Sequence, residues 1–432
     1  MSTGQTPHPD FTPERERLVY AKVIWRIIPV IFLCYVVAYL DRVNVGFAKL
    51  QMLSDLKWSD TIYGFGAGIF FIGYFLFEVP SNIMLHKVGA RPWIATIMII
   101  WGFLSVSTMF VKTPMEFYVL RFFLGIAESG FFPGVILYFT YWFPPKIRAQ
   151  IGALFMTAIA LSGVIGSPVS GWIIQNFHNV NGWNGWQWLF LLEGLPSVLM
   201  GLVVLACLDN RIDDAKWLTA EEKALLDYRI AEGAKQHVHL TTMQVFGDRR
   251  IWFLSLLYFL FIMGLYGISF WLPQIIKNTG VKDVFNIGLL SMIPYGIAAV
   301  SMVLFSKIAD KNGTHRRYLA ASAFAGSAGL ILCGIFANNV VFGMAALTLA
   351  TVGVLTMMPL FWTLPTAFLG GTAAAAGIAV INSFGNLAGF VSPYMIGAIT
   401  DATKSSSGGL YVIAVCLALF ALLVLWKVKK PA

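Results

Sequence analysis

The sequence predicts an all-α membrane protein with twelve transmembrane helices in two pseudo-symmetric six-helix bundles. Composition is the first reason. Hydrophobic residues make up 58% of the 432 and charged residues only 12%, whereas soluble domains carry about 25% charge. Mean hydropathy is +0.74. The second reason is spacing. Apolar stretches of about 20 residues, enough to cross a bilayer, fall at 24–47, 61–85, 91–111, 114–138, 149–174, 186–208, 250–275, 284–308, 317–337, 340–364, 371–396 and 408–427. The third is internal repetition. VPSNIMLHKVGAR (79–91) and LFSKIADKNGTHR (304–316) occupy equivalent loops, and Ser167-Pro168 is echoed by Ser392-Pro393. A doubled six-helix unit places a substrate site between its halves, near the midplane.

The chain therefore divides into a tail (1–23), an N-terminal bundle (24–208), a linker (209–249) and a C-terminal bundle (250–428). The polar tail has no apolar core of a removable leader and is expected to be disordered. In the linker, Thr219 and Glu222 have capping-box spacing, so a helix should open at Ala220 and lie on the membrane face as a tether.

Charge sets the orientation. With the N-terminus inside, 22 of the 30 Lys and Arg residues lie on the cytoplasmic side, six lie outside and two lie within spans. The bias makes both termini cytoplasmic, and it accounts for the net charge of +9 without nucleic acid. Four separated cysteines in apolar runs suggest neither disulfides nor a metal site. The six histidines sit in loops or at helix ends, which excludes a histidine proton relay at the membrane centre. Neither a nucleophile–base pair nor a sizeable soluble domain is evident, so an enzyme or receptor is a remote alternative. Trp183, Trp186 and Trp188 read as an interfacial aromatic belt.

Ionisable residues inside spans are costly, and they usually face a partner or a water-filled path. Asp41, Glu78, Glu128 and Glu193 are the four acids within spans, and all belong to the first half, as do Arg42 and Arg121. Arg121, Gly125 and Glu128 follow i, i+4, i+7 spacing and share one helical face, with Gly125 permitting close helix approach. At 1.5 Å per residue, Arg121 lies ~10 Å and Glu128 ~21 Å deep, while Asp41 and Arg42 lie ~8–9 Å from the same surface. Those depths pair Asp41 with Arg121 and let Arg42 reach inward to Glu128. Protonating Glu128 would then free Arg42 to hold an anion, the logic of proton–anion symport. Two inert ion pairs fixing helix packing are the competing reading. Glu78 reads as a gate or packing partner, and Glu193 as either a capped core acid or an auxiliary titrating group. Tyr39, Tyr74, Trp362, Asn382 and Asn386 are the polar or aromatic groups suited to contact a carboxylate or hydroxy acid.

YLDRVNVGFA, YGFGAGIFFIGYFLFEVPSN, RFFLGIAESGFFPG, YWFPPKIRAQ and WLFLLEGLPS resemble the anion:cation symporter branch of the major facilitator superfamily, over residues 20–428. DDAKWLTAEEK is most similar to the tartrate-like carriers. The resemblance implies a proton-coupling acid pair at Asp41 and Glu128, an anion-holding arginine at Arg42 with a partner at Arg121, and site residues at Tyr39, Tyr74, Trp362 and Asn382. Where sugar-acid carriers keep a glutamine on span five, this chain has Ile159 and Ala160, which favours a smaller or more apolar acid. The superfamily loop motif is altered: its glycine falls at Asn82 and its aspartate at His86, while the second copy has Ser306 but keeps Asp310. The glycine-rich span-five signature of drug antiporters is not evident. The expected function is proton-coupled import of a small organic anion across a bacterial inner membrane by a monomer without cofactor or metal. An antiporter or exporter of the same fold is the main alternative.

Overall fold

The computed structural model describes residues 12–234, 247–368 and 371–427. Of the tail expected to be disordered, residues 1–11 lie outside the described residues, whereas 12–23 are ordered: Thr12 caps a helix that starts at Pro13 and runs without a break into span one. Among the described residues, eleven helical segments are long and apolar enough to cross a membrane: Pro13–Leu56, Asp60–Val88, Ala90–Phe110, Pro114–Trp142, Gln150–Asn176, Gly185–Cys207, Arg249–Asn278, Val284–Asn312, His315–Ile335, Val340–Pro365 and Ser407–Lys427. They coincide with spans one to ten and twelve. Span eleven is formed by two shorter helices, Gly371–Asn386 and Ala388–Thr403, on either side of Leu387.

Breaks within spans follow local chemistry. In span four, Pro133 cannot donate to Ser129 and its ring crowds that carbonyl, so the helix ends at Glu128 and restarts at Phe131. In span ten, Pro365 bears on Phe361 in the same way, and the helix Val340–Phe361 stops there. Span one is interrupted at Asn44, whose amide N–H still reaches the Leu40 carbonyl at 2.9 Å. Each break lies beside one of the side chains singled out in the sequence: Glu128, Trp362 and Arg42.

The linker helix forms where its cap requires. Glu222 N–H donates to Thr219 Oγ1 at 3.2 Å, and Thr219 N–H donates to Glu222 Oε2 at 2.8 Å. The helix Ala220–Ala234 docks on the first half of the chain. Lys22 reaches Glu222 at 2.8 Å, Arg229 pairs with Glu16, and Arg15 pairs with Glu221. Mutual hydrogen bonds with Glu16 and Glu232 hold the Arg229 guanidinium above its ordinary pKa.

Spans one to six meet spans seven to twelve most closely at the face opposite the tail, here termed the far face. The carboxylate of Asp401 on span eleven accepts from the start of span two: Thr61 N at 2.8 Å, Asp60 N at 3.2 Å and the Thr61 hydroxyl. A Cβ at Gly64 would stand 2.3 Å from the Pro393 carbonyl oxygen, so only glycine permits this approach. Tyr63 donates to the Phe270 carbonyl at 2.8 Å. Lys49, buried in span one, pairs with Asp60 at 2.6 Å, and its ammonium sits 3.4 Å from the Trp271 ring centroid and 5.0 Å from that of Tyr63. Interlocked backbone and a caged cation close this face.

Candidate functional site

A central cavity lies between the two sets of six spans, with a free volume of about 30 Å³. Its wall includes Tyr39, Arg42, Tyr74, Trp362, Asn382 and Asn386. All six were singled out in the sequence, and they come from spans one, two, ten and eleven. Tyr35, Tyr258 and Tyr266 also line it and were missed. Tyr35 carried a signal, since it stands one turn before Tyr39 on the Arg42 face. Tyr258 and Tyr266 lie in an apolar span, where nothing local separates a cavity-facing tyrosine from a packed one.

Arg42 organises the wall. Its Nη2 and Nε donate to Glu128 Oε2 at 2.8 and 3.1 Å, and its Nη1 donates to the Tyr266 hydroxyl at 3.1 Å. The guanidinium also sits 5.2 Å from the Phe70 ring centroid and 5.4 Å from that of Tyr74. The pair therefore forms as the helical depths suggested. Glu128 itself is fully buried, and its Oε1 has no hydrogen-bond partner among the described residues.

The pairing of Asp41 with Arg121 does not form. Asp41 accepts from Ser105 Oγ at 2.9 Å and from the Ser197 hydroxyl, on spans three and six. The reason is helical geometry: consecutive residues point about 100° apart. Arg42 occupies the face toward span four, which turns Asp41 into the interior of the first six spans. Arg121 is left buried, with its guanidinium 5.1 Å from the Phe70 ring and a 3.5 Å contact from Nη2 to the Arg42 carbonyl. Its Nε and Nη1 have no hydrogen-bond partner among the described residues. Phe70 thus carries a guanidinium at two places on its ring.

Glu78 binds the second half of the chain. Its carboxylate accepts from Asn382 Nδ2 at 2.8 Å and Ser383 Oγ at 2.7 Å. Asn382 therefore belongs to the cavity wall and to a bridge between spans two and eleven. Tyr39 makes a second bridge, with its hydroxyl 3.0 Å from Ser269 Oγ on span seven. Glu193 accepts from Ser170 Oγ at 2.6 Å through Oε1, while Oε2 is unpartnered among the described residues. Asp41, Glu128, Glu78, Glu193 and Arg121 stand behind the cavity surface rather than in it.

Membrane-spanning helices arranged around a buried cavity with an arginine in its wall are the architecture of a multi-pass membrane transporter. Residues 31–393 match the model of the Major Facilitator Superfamily, and the chain belongs to that superfamily. It is 44% identical to the "Putative metabolite transport protein NicT" of Pseudomonas putida, covering 98% of each chain. It is 46% identical to a "Putative tartrate transporter" of Agrobacterium vitis, over 96% of this chain and 92% of the relative. A "Quinolone resistance transporter" of Acinetobacter baumannii is 38% identical over 96% of this chain and 95% of its own. Among solved structures, the inward open conformation of the xylose transporter XylE from E. coli superposes with a TM-score of 0.74 at 13% identity, covering 96% of this chain and 97% of that one. That likeness is one of fold.

Proposed function

We propose that this transporter imports a small organic anion together with protons, across a bacterial inner membrane and with both termini cytoplasmic. A tartrate-like hydroxy acid is the first candidate, ahead of sugar acids and aromatic carboxylates. The reading that residues 24–208 and 250–428 rock as two bundles around the central cavity rests on the internal repeat. The single observation that carries the proposal is that Arg42 in the cavity wall is paired with Glu128 behind it, with Tyr266 on the opposite set of spans holding the third edge of the guanidinium.

The chemistry follows from that arrangement. Two opposite charges at such a distance attract by about 4 kcal/mol at an effective dielectric of 20. An anion arriving while Glu128 is ionised meets repulsion of the same order and an occupied arginine. A proton on Glu128 removes both obstacles. Arg42 keeps its bond to Tyr266, and its Nε and Nη2 become free to bind a carboxylate through two parallel hydrogen bonds. Proton and anion therefore bind favourably only together, which is the condition for symport. Tyr39, Tyr74, Trp362 and Asn382 supply hydroxyl, ring and amide contacts around the anion, and Asn386 adds a second amide. Asp41 acts as a second proton carrier, held by serines rather than by a cation. Arg121 serves as the reserve countercharge for Glu128 when Arg42 is engaged. Transport by a monomer needs no cofactor beyond the proton gradient.

The test is uptake of radiolabelled L-tartrate into proteoliposomes under an inward proton gradient. Glu128→Gln should lose gradient-driven uptake and keep exchange of bound anion. Unchanged gradient dependence in that variant would refute the role. The Acinetobacter relative favours a second reading, export in exchange for protons. In that case, acidifying the outside would lower rather than raise accumulation in cells.

A further inference from the structure

We propose that Glu193, Ser170 and Asn44 form a second binding site, separate from the Arg42 site, for a small monovalent cation: a proton or a sodium ion. The first observation is a second cavity, of about 10 Å³, lined among others by Asn44, Ser170, Ser269 and Tyr295. That is room for roughly one water or one bare monovalent ion. Ser269 faces this chamber while its hydroxyl meets Tyr39, which faces the central cavity. The Tyr39–Ser269 bond therefore joins the walls of the two spaces.

The second observation is the oxygen-rich and incompletely satisfied wall. Asn44 is 1% exposed, and neither its amide oxygen nor its nitrogen has a hydrogen-bond partner among the described residues. Ser170 lines the chamber and donates to Glu193 Oε1. Glu193 Oε2 is buried and faces the Asn44 amide, the nearest side-chain donor to it, without closing to hydrogen-bond distance. Buried polar groups in native proteins are nearly always paired, so the unpaired Asn44 amide in the chamber wall, with Glu193 directly behind it and Ser170, points to a guest.

The third observation is electrostatic. The groups that face Glu193 are Asp41 from span one, Ser170 from span five and Asn44 from the span-one break. The charged group among them is a second acid. No lysine or arginine forms an ion pair with Glu193 among the described residues, the two buried ion pairs being Arg42–Glu128 and Lys49–Asp60. An uncompensated carboxylate in this setting costs several kcal/mol. Its countercharge must therefore come from a mobile species. Carboxylate, amide and hydroxyl oxygens are hard donors, suited to a proton carried on the acid or to a sodium ion.

Infrared difference spectroscopy of the purified full-length protein in lipid, without organic substrate, tests this. The probe steps are exchange of choline for sodium at fixed pH, and an alkaline step without sodium. A carboxyl carbonyl band lost in the first step and missing from Glu193→Gln identifies sodium. A band lost only in the second step and missing from the variant identifies the proton. Ser170→Ala, which keeps the acid but removes its donor, should move the band or its midpoint, and this arm survives if Glu193→Gln does not fold. A Glu193 band unaltered in both steps, or a spectrum that Glu193→Gln leaves the same, overturns the proposal. The measurement uses no transported anion, so its failure leaves the proposed anion import untouched.

Discussion

Asn382 donates its amide to Glu78 at 2.8 Å, tying span eleven to span two from the wall of the central cavity. One side chain thus faces the space where cargo would sit and also holds the two halves of the chain together. A ligand that binds the free N–H or Oδ1 of Asn382 shares the amide with Glu78, and one that pulls the side chain away breaks this bridge.

Asn382→Ala removes one of the two donors that Glu78 has from the second half and leaves Ser383 alone. Leaving a buried carboxylate short of a partner costs about 1–3 kcal/mol. We expect a lower thermal midpoint in detergent and at least tenfold weaker L-tartrate binding by calorimetry. Binding at wild-type strength would remove Asn382 from the site.

Arg42→Lys keeps the charge and loses the fork. Lysine cannot donate two parallel bonds to Glu128 while also reaching Tyr266. The expected result is a protein that folds, since a cation still faces Glu128, with affinity for the anion reduced tenfold or more. Equal affinity in both forms would show that charge alone suffices there.

Lys49→Met should loosen the far face. The variant loses the ion pair with Asp60 and the contacts with Trp271 and Tyr63. A desolvated cation–π contact is worth about 2 kcal/mol, enough to shift a two-state population about 30-fold. Spin labels placed at Lys57 and Lys282, both exposed, should report a longer mean distance by pulsed electron resonance. An unchanged distribution would mean that Asp401 and the close packing at Gly64 hold this face by themselves.

Gly125→Ala tests how the charged face of span four is positioned. An added methyl would lie 1.9 Å from the Phe70 carbonyl oxygen, a clash that only movement of spans two and four could relieve. Overpacking of this kind costs about 1–3 kcal/mol or more. A clear drop in melting temperature by differential scanning fluorimetry is expected, together with loss of transport, because Phe70, Arg121 and Glu128 would move apart. A wild-type midpoint would show that the interface is slack.

Much of the molecule was legible before any coordinates. Span positions follow from the length of apolar runs, because a bilayer demands a fixed thickness and full internal hydrogen bonding. The capping box at Thr219 and the closeness allowed by Gly125 are equally local. So were the six wall residues Tyr39, Arg42, Tyr74, Trp362, Asn382 and Asn386, since polar and aromatic groups in lipid-embedded helices are few and seldom idle.

What the chain alone left open was which of two adjacent charges faces which neighbour. Depth can be counted along a helix, but rotation about its axis is set by packing against the others. That is why Arg42 met Glu128 as its depth allowed, whereas Asp41 turned to Ser105 and Ser197 and left Arg121 against Phe70. It is also why Tyr266, Ser269 and the caged Lys49 became visible only in three dimensions: each acquires its meaning from a partner some 200 residues away in the chain.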